Sequence, residues 1–148
     1  MKGTLTTLAA LLALGACATA GAGPQTADVS GADAVQPRIL AIAAGDMAAL
    51  SAPYADDATM QWVGGPLDGT YTGREKLSEL WTKFTRAQGP LAAQIGQVET
   101  SANPRGRTLV TNVAFTGKHG TVKVRYATVY RGDRLTAEVW QIDPALRF

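Results

Sequence analysis

Histidine and cysteine, two residue types common in acid–base, nucleophilic and metal chemistry, each occur once in this 148-residue chain. His119 is the single histidine, and its glycine-flanked setting, Gly117-Lys118-His119-Gly120, predicts an exposed hairpin turn rather than a catalytic base. Asp56 and Asp57 are adjacent carboxylates, but they follow a predicted helix end and precede a predicted strand, so turn and capping hydrogen bonds explain them. We therefore expect neither a metal ion nor a cofactor.

The single cysteine, Cys17, excludes an internal disulfide bond and a cysteine cluster for a metal ion. It follows a segment with the layout of an export signal, in which Lys2 supplies positive charge and the apolar residues 5–14 are too few to span a bilayer as a stable helix. Residues 18–33 are rich in glycine, alanine, serine and threonine, and this composition predicts a flexible linker.

The segment Leu14-Gly15-Ala16-Cys17 resembles the lipobox of bacterial lipoproteins, whose cysteine is acylated and becomes the new N-terminus. This resemblance implies a signal peptide over 1–17, lipidation of Cys17 and a lipoprotein of the cell envelope, held at the outer membrane and facing the periplasm. The alternative is an ordinary secretory signal cut at Ala18-Thr19-Ala20, which would leave the protein periplasmic or secreted. In both cases contact with a membrane is expected through the lipid anchor only.

Residues 34–148 are predicted to form one α+β domain. The composition is that of a globular protein, with 46% apolar and 18% charged residues, and a net charge of +2 without runs of like charge gives no nucleic-acid-binding pattern. Pro37 is expected in the first turn of a helix, and Asp46 is expected to cap a second helix after a break at Gly45. A short strand is predicted over residues 58–63.

The next element is predicted to be an amphipathic helix. Thr72 and Glu75 have the spacing of a capping box, which favours a helix start at this point. The apolar stripe behind it recurs at helical spacing and comprises Leu77, Leu80, Trp81 and Phe84. Four strands in an antiparallel meander are predicted to follow, over residues 91–102, 107–116, 121–130 and 134–143.

This order of elements, with Ala44-Gly45-Asp46, Tyr54-Ala55-Asp56-Asp57-Ala58-Thr59 and Gly73-Arg74-Glu75, resembles the nuclear-transport-factor-2-like superfamily, which includes SnoaL-type cyclases and ketosteroid isomerase. The resemblance implies a cone-shaped, cystatin-like roll, in which N-terminal helices pack on a curved antiparallel sheet and enclose a pocket. It also implies a homodimer formed through the outer face of the sheet. We expect Leu109, Val113, Ala137 and Val139 to supply an apolar patch on that face.

The resemblance does not extend to the isomerase's catalytic residues. In the register set by the quoted segments, the general base falls at Trp62, the helix tyrosine at Arg38 and the protonated aspartate near Tyr126, so that none is retained in type. Because a tryptophan side chain cannot accept a proton, steroid isomerisation by that set of residues is not expected. The same register implies a pocket lined by Trp62, Trp81, Phe84, Tyr126, Thr128, Glu138 and Trp140.

Two functions follow as hypotheses. The first is a binding or accessory domain that holds a small apolar or aromatic molecule. The alternative is an isomerase, cyclase or dehydratase acting on an apolar cyclic substrate, with Glu138 as acid or base and Arg38 or Tyr126 assisting. Burial of Glu138 in the pocket would raise its pKa and favour this role, whereas an Arg38 partner would keep the carboxylate ionised.

Overall fold

The computed structural model describes residues 31–148, and the side chains from residue 34 onward. The predicted signal peptide and Cys17 lie outside the described residues, as does most of the predicted linker. The elements are α1 (Gly31–Ala44), α2 (Met47–Ser51), β1 (Tyr54–Val63), β2 (Gly69–Thr72), α3 (Arg74–Gln88), β3 (Ala92–Asn103), β4 (Gly106–Gly117), β5 (Gly120–Arg131) and β6 (Arg134–Ile142).

The six strands form one open sheet in the order β2-β1-β6-β5-β4-β3. Strand β1 runs parallel to β6, and every other neighbouring pair is antiparallel. The helices cover one face of the sheet, and the core lies between these layers. The predicted α+β architecture is therefore confirmed. Within residues 31–148, no helix is both long enough and apolar enough to cross a membrane.

The two N-terminal helices break where predicted. Gly45 adopts a left-handed conformation (φ +71°), and the Asp46 carboxylate accepts a hydrogen bond of 3.0 Å from the Ala49 amide. The position expected for Pro37 was wrong, because α1 begins at Gly31 and contains Pro37 in its interior. A proline there lacks one backbone donor, but the helix is held to the core by its buried apolar side chains, among them Ile39 and Ile42.

The start of α3 differs from the predicted capping box. Thr72 belongs to β2 and pairs with Thr59, so its side chain does not cap the helix. The N-cap is Gly73, at φ +93°, with no side-chain capping bond, and its amide donates to the Ala58 carbonyl at 2.8 Å. The predicted apolar stripe is confirmed, since Leu77, Leu80, Trp81 and Phe84 are all buried.

The predicted four-strand meander is confirmed, with each strand boundary within one residue. The four-residue strand β2 was missed, because its short sequence has no extended apolar alternation. Strand β1 begins at Tyr54 rather than residue 58, and Asp56 and Asp57 therefore lie in a strand with a register irregularity, not in a turn.

The predicted apolar patch on the outer sheet face was wrong in part. Leu109 and Val113 face the core, because they pair with the inward-facing Thr128 and Val124 of β5. Ala137 and Val139 do belong to the outer face, where Val139 is 39% exposed. Strand β4 carries apolar residues on both faces, so that alternation alone could not assign its inner side.

Candidate functional site

The interior between helices and sheet is filled by aromatic side chains. Trp140, at the centre of β6, has no exposed surface and stacks between Trp62 and Phe115, with ring centroids 4.9 Å and 5.3 Å away. Trp81, Phe84 and Tyr126 pack edge-on against the same indole at 5.3–5.7 Å. The structure thus brings together the aromatic residues predicted to line a pocket, and it packs them against one another.

A cluster of buried polar side chains lies beside these rings. We call Arg38, Tyr54, Trp81, Tyr126 and Glu138 the charged cluster. Arg38 Nε lies 2.6 Å from Glu138 Oε1, and the two residues are 6% and 1% exposed. Tyr126 donates to the same carboxylate oxygen, and Tyr54 donates to Glu138 Oε2. Trp81 Nε1 donates to the Tyr54 hydroxyl at 2.7 Å, so the cluster joins α1, α3 and three strands.

Arg38 also connects the helical layer to this cluster. Its Nη2 donates to the Tyr54 hydroxyl at 2.6 Å, and its Nη1 donates to the Leu50 carbonyl at 3.0 Å. Leu50 lies in the last turn of α2, where backbone carbonyls lack partners within the helix. The Arg38 guanidinium therefore neutralises the Glu138 carboxylate and also donates a hydrogen bond to the otherwise unpaired Leu50 carbonyl.

The buried charges and hydroxyls shift one another's pKa values. Burial is the largest single influence on Arg38 and would lower its pKa, but the attractions of Glu138, Tyr126 and Tyr54 and the hydrogen bond to Glu138 together raise it well above its usual range. Burial raises the pKa of Tyr54 and of Tyr126, and the negative charge of Glu138 adds to this, whereas the positive charge of Arg38 opposes it. Both tyrosines therefore stay protonated as hydrogen-bond donors.

This geometry favours a structural role for Glu138 over catalysis. Oε1 already accepts hydrogen bonds from Arg38 and Tyr126, and Oε2 accepts one from Tyr54. A general base needs an oxygen within hydrogen-bond reach of the substrate proton, whereas these oxygens are buried and bound. Acid–base catalysis by Glu138, with Arg38 or Tyr126 assisting, stays a prediction.

Tyr54 is the member of the charged cluster that the sequence analysis missed. It lies ahead of the predicted strand start, and the irregularity of β1 between Tyr54 and Thr59 interrupts the pattern. Two-residue steps backwards from Trp62, Met60 and Ala58 reach Tyr54 only through Asp56, which is exposed, so no local pattern identifies Tyr54 as inward-facing.

A cavity of about 220 Å³ lies at the other end of β1, and we call it the mouth cavity. Trp62 and Phe84 are the predicted ligand-contacting residues that line it. The Trp62 Nε1 donates to the Gly64 carbonyl at 3.0 Å, so the polar atom of this indole already has a hydrogen-bond partner. Further apolar contacts come from Pro66, Leu67, Ala87, Val122 and Ile142, and the polar side chains are Lys83 and Gln88.

Of the remaining candidates, His119 and Asp56 lie at the surface, whereas Thr128 lies next to the charged cluster. His119 is exposed in the β4–β5 turn, and Asp56 pairs at 3.0 Å with Arg74 near the surface. Thr128 is buried opposite Glu138 on the inner face of β5, and its hydroxyl has no protein partner. Among the side chains the structure describes, no three histidine, cysteine, aspartate or glutamate residues gather closely enough to hold a metal ion.

Several solved structures share this architecture. A nuclear-transport-factor-2-like protein from Pseudomonas putida is 18% identical, with a TM-score of 0.62 over 72% of this chain and 80% of its own. A putative ketosteroid isomerase from Parabacteroides distasonis is 14% identical, with a TM-score of 0.65 over 84% and 96%. A de novo designed protein with a curved β-sheet is 15% identical, with a TM-score of 0.61 over 77% and 85%. At these identities the likeness concerns the fold alone.

No curated protein matches the sequence. The model of the SnoaL-like domain family, however, matches residues 35–136. This segment starts within α1 and contains four of the five residues of the charged cluster, all but Glu138. This match covers well over half of the chain, and the cystatin-like, nuclear-transport-factor-2-like fold of the solved structures agrees with it. The chain belongs to the SnoaL-like domain family.

Proposed function

We propose that this protein is an exported, membrane-tethered binding or accessory protein that holds a small apolar or aromatic molecule in the mouth cavity. The observation that carries the proposal is the contrast between the two sites. The mouth cavity has a mostly apolar lining, to which the almost fully buried Trp62 and Phe84 contribute, whereas the carboxylate best placed for chemistry is occupied by Arg38 and two tyrosines. Binding without chemistry fits this arrangement.

The size and walls of the mouth cavity point to a ligand of one or two rings. Its volume of about 220 Å³ is below the roughly 300 Å³ at which pockets for drug-sized ligands begin. Aromatic side chains add stacking or edge contacts worth roughly 0.5–1.5 kcal/mol beyond buried area. Lys83 and Gln88 can donate hydrogen bonds to a polar group on the ligand.

Filling the mouth cavity is expected to abolish binding of such a ligand. In Ala87→Trp the new indole occupies the cavity from α3, and we expect the dissociation constant of 2-naphthol, measured by titration calorimetry, to rise at least tenfold. Lys76→Trp is the matched control, because residue 76 is exposed on the same helix three turns earlier and does not line the cavity. Equal affinity of the two variants, or no binding of 2-naphthol, indole or benzyl alcohol to the native protein at millimolar concentration, would contradict the proposal.

Tethering through Cys17 is supported by the sequence around it, namely Lys2, the apolar residues 5–14 and the lipobox-like Leu14-Gly15-Ala16-Cys17. Expression of the full gene in a diderm bacterium is expected to give a membrane-fraction protein that starts at Cys17 and carries an acyl mass increment. Cys17→Ser should abolish both the acyl mass increment and the N-terminus at residue 17, whereas the control Ala18→Ser should retain both. An unacylated native protein cut beyond Cys17 would instead establish the secreted form.

A homodimer through the outer sheet face stays a prediction. Of the residues proposed for it, Ala137 and Val139 remain available on that face.

A further inference from the structure

Two hairpin turns at one end of the sheet carry four arginines. Arg105 and Arg107 flank the β3–β4 turn, and Arg131 and Arg134 flank the β5–β6 turn. The turns are adjacent because β4 pairs with β5, with Gly106 opposite Arg131. Arg131 and Arg134 also face each other directly as a cross-strand pair. We call this surface the arginine end.

None of these four arginines forms an ion pair with an acidic side chain among the described residues. Among residues 34–148, the ion pairs within 4.0 Å are Arg38–Glu138 and Arg74–Asp56, and neither involves the arginine end. The Arg107 guanidinium stacks on Tyr130 at 4.5 Å, and its buried Nε has no hydrogen-bond partner. Like charges on facing strand positions destabilise a hairpin, so this surface is electrostatically matched to an anionic partner.

Two clefts at this end offer room for anionic groups. One, of about 220 Å³, lies against Gly106, Arg107 and Arg131. The other, of about 430 Å³, lies between the helices and the β5–β6 turn and is bordered by Pro37, Arg38 and Arg134. Tyr130 contributes to both clefts, and Asp133 is the one acidic residue bordering either.

We infer that the arginine end docks on an anionic lipid surface, with lipid phosphates held by Arg105, Arg107, Arg131 and Arg134. The planar guanidinium forms paired hydrogen bonds to phosphate oxygens, which makes arginine well suited to this contact. The path of the chain favours a membrane as the partner. Ala34 and Pro37 of α1 border the same cleft as Arg134, so the first part of α1 lies beside the arginine end.

Docking in this way orients the mouth cavity away from the membrane. Val122, near the start of β5, lines the mouth cavity, and Arg131 ends the same strand. At about 3.3 Å of rise per residue, the two lie roughly 30 Å apart along the sheet. The arginine end therefore gives the proposed anchor a second contact, which fixes the direction in which the cavity opens.

The test uses the chain from residue 17 onward with Cys17→Ser, so that neither an acyl chain nor the export signal contributes to binding. Co-sedimentation compares vesicles of phosphatidylcholine with vesicles that also contain phosphatidylglycerol, at low and high salt. We expect a preference for the anionic vesicles that salt weakens. Replacing Arg105, Arg131 and Arg134 by glutamine should lower the anionic partition coefficient by roughly 100-fold, because each basic residue near such a surface contributes about fivefold (about 1 kcal/mol).

The control replaces Lys76, Arg86 and Lys118 by glutamine, which removes the same net charge from exposed sites elsewhere. We expect its anionic partition coefficient to fall by less than tenfold. Equal losses in both triple variants, or no preference of the native sequence for anionic vesicles, would overturn the inference. Calorimetric binding of inorganic phosphate that the arginine triple abolishes, without any vesicle preference, would replace the lipid surface by a free phosphate ligand and would overturn it as well.

Discussion

Replacing Arg38 with methionine is expected to lower the free energy of unfolding by about 3–5 kcal/mol at neutral pH, because removing one partner of a buried ion pair leaves the other charge uncompensated. Glu138 is 1% exposed and cannot recover water in place of the guanidinium. The Leu50 carbonyl and the Tyr54 hydroxyl lose their Arg38 donors at the same time. Since a domain of this size is stable by about 5–15 kcal/mol, the loss is severe. Urea unfolding followed by tryptophan fluorescence measures it.

The double variant Arg38→Met/Glu138→Leu separates charge from packing. A buried ion pair replaced by apolar residues of similar volume is often neutral or stabilising, so we expect the double variant to be markedly more stable than Arg38→Met alone. This comparison holds even where Arg38→Met fails to fold. If Arg38→Met lowers the free energy of unfolding by less than about 1 kcal/mol, the Arg38–Glu138 ion pair behaves as a solvent-exposed pair.

The domain is expected to lose stability steeply above about pH 10. The pKa values of Tyr54 and Tyr126 are raised from their ordinary value of 10.0, mainly by burial and further by Glu138. Below pH 10 the folded and the unfolded chain both keep the two tyrosine protons, so these tyrosines do not make the free energy of unfolding depend on pH. Above it the unfolded chain releases them while the folded chain retains them, so each tyrosine lowers the free energy of unfolding by about 1.4 kcal/mol per pH unit. Urea midpoints between pH 8 and 11 measure this slope.

Tyr126→Phe provides the internal comparison. It removes the hydroxyl that donates to Glu138, so stability at pH 7 should fall by about 1.5–3 kcal/mol, the usual range for a hydrogen bond to a charged group. It also removes one of the shifted protons, and the alkaline slope should become shallower by about 1.4 kcal/mol per pH unit. A slope identical to that of the native protein would show that Tyr126 is not the group responsible.

Local sequence patterns predicted those elements that are stabilised by the same residues that form the pattern. The stripe of Leu77, Leu80, Trp81 and Phe84 predicted α3 because the same apolar spacing buries its face. The capping box failed because Thr72 could satisfy its backbone in β2 instead, a pairing between distant residues that no local window contains. Leu109 and Val113 were assigned to the wrong face for a related reason, since their pairing with β5 decides the side.

The charged cluster could be predicted only in part. The resemblance to the superfamily placed Arg38, Tyr126 and Glu138 near one another, and the structure joins them by hydrogen bonds. Whether the space beside them is open or filled depends on the volumes and rotamers of packed rings. The alternation of residues along a strand shows which side chains face inward but not whether they fill the interior. The stacking of Trp140 between Trp62 and Phe115 therefore could not be predicted from the sequence.

The parallel pairing of β1 with β6 has a consequence for folding kinetics. Strands β3 to β6 connect through short turns and can pair soon after local collapse, whereas residues 64–133 separate β1 from β6 along the chain. Closing so long a loop costs entropy before any contact compensates for it, and non-local pairing of this kind slows folding. We therefore expect the meander of β3 to β6 to form first and β1 to pair with β6 afterwards. The stacking of Trp62 on Trp140 forms only in that last step.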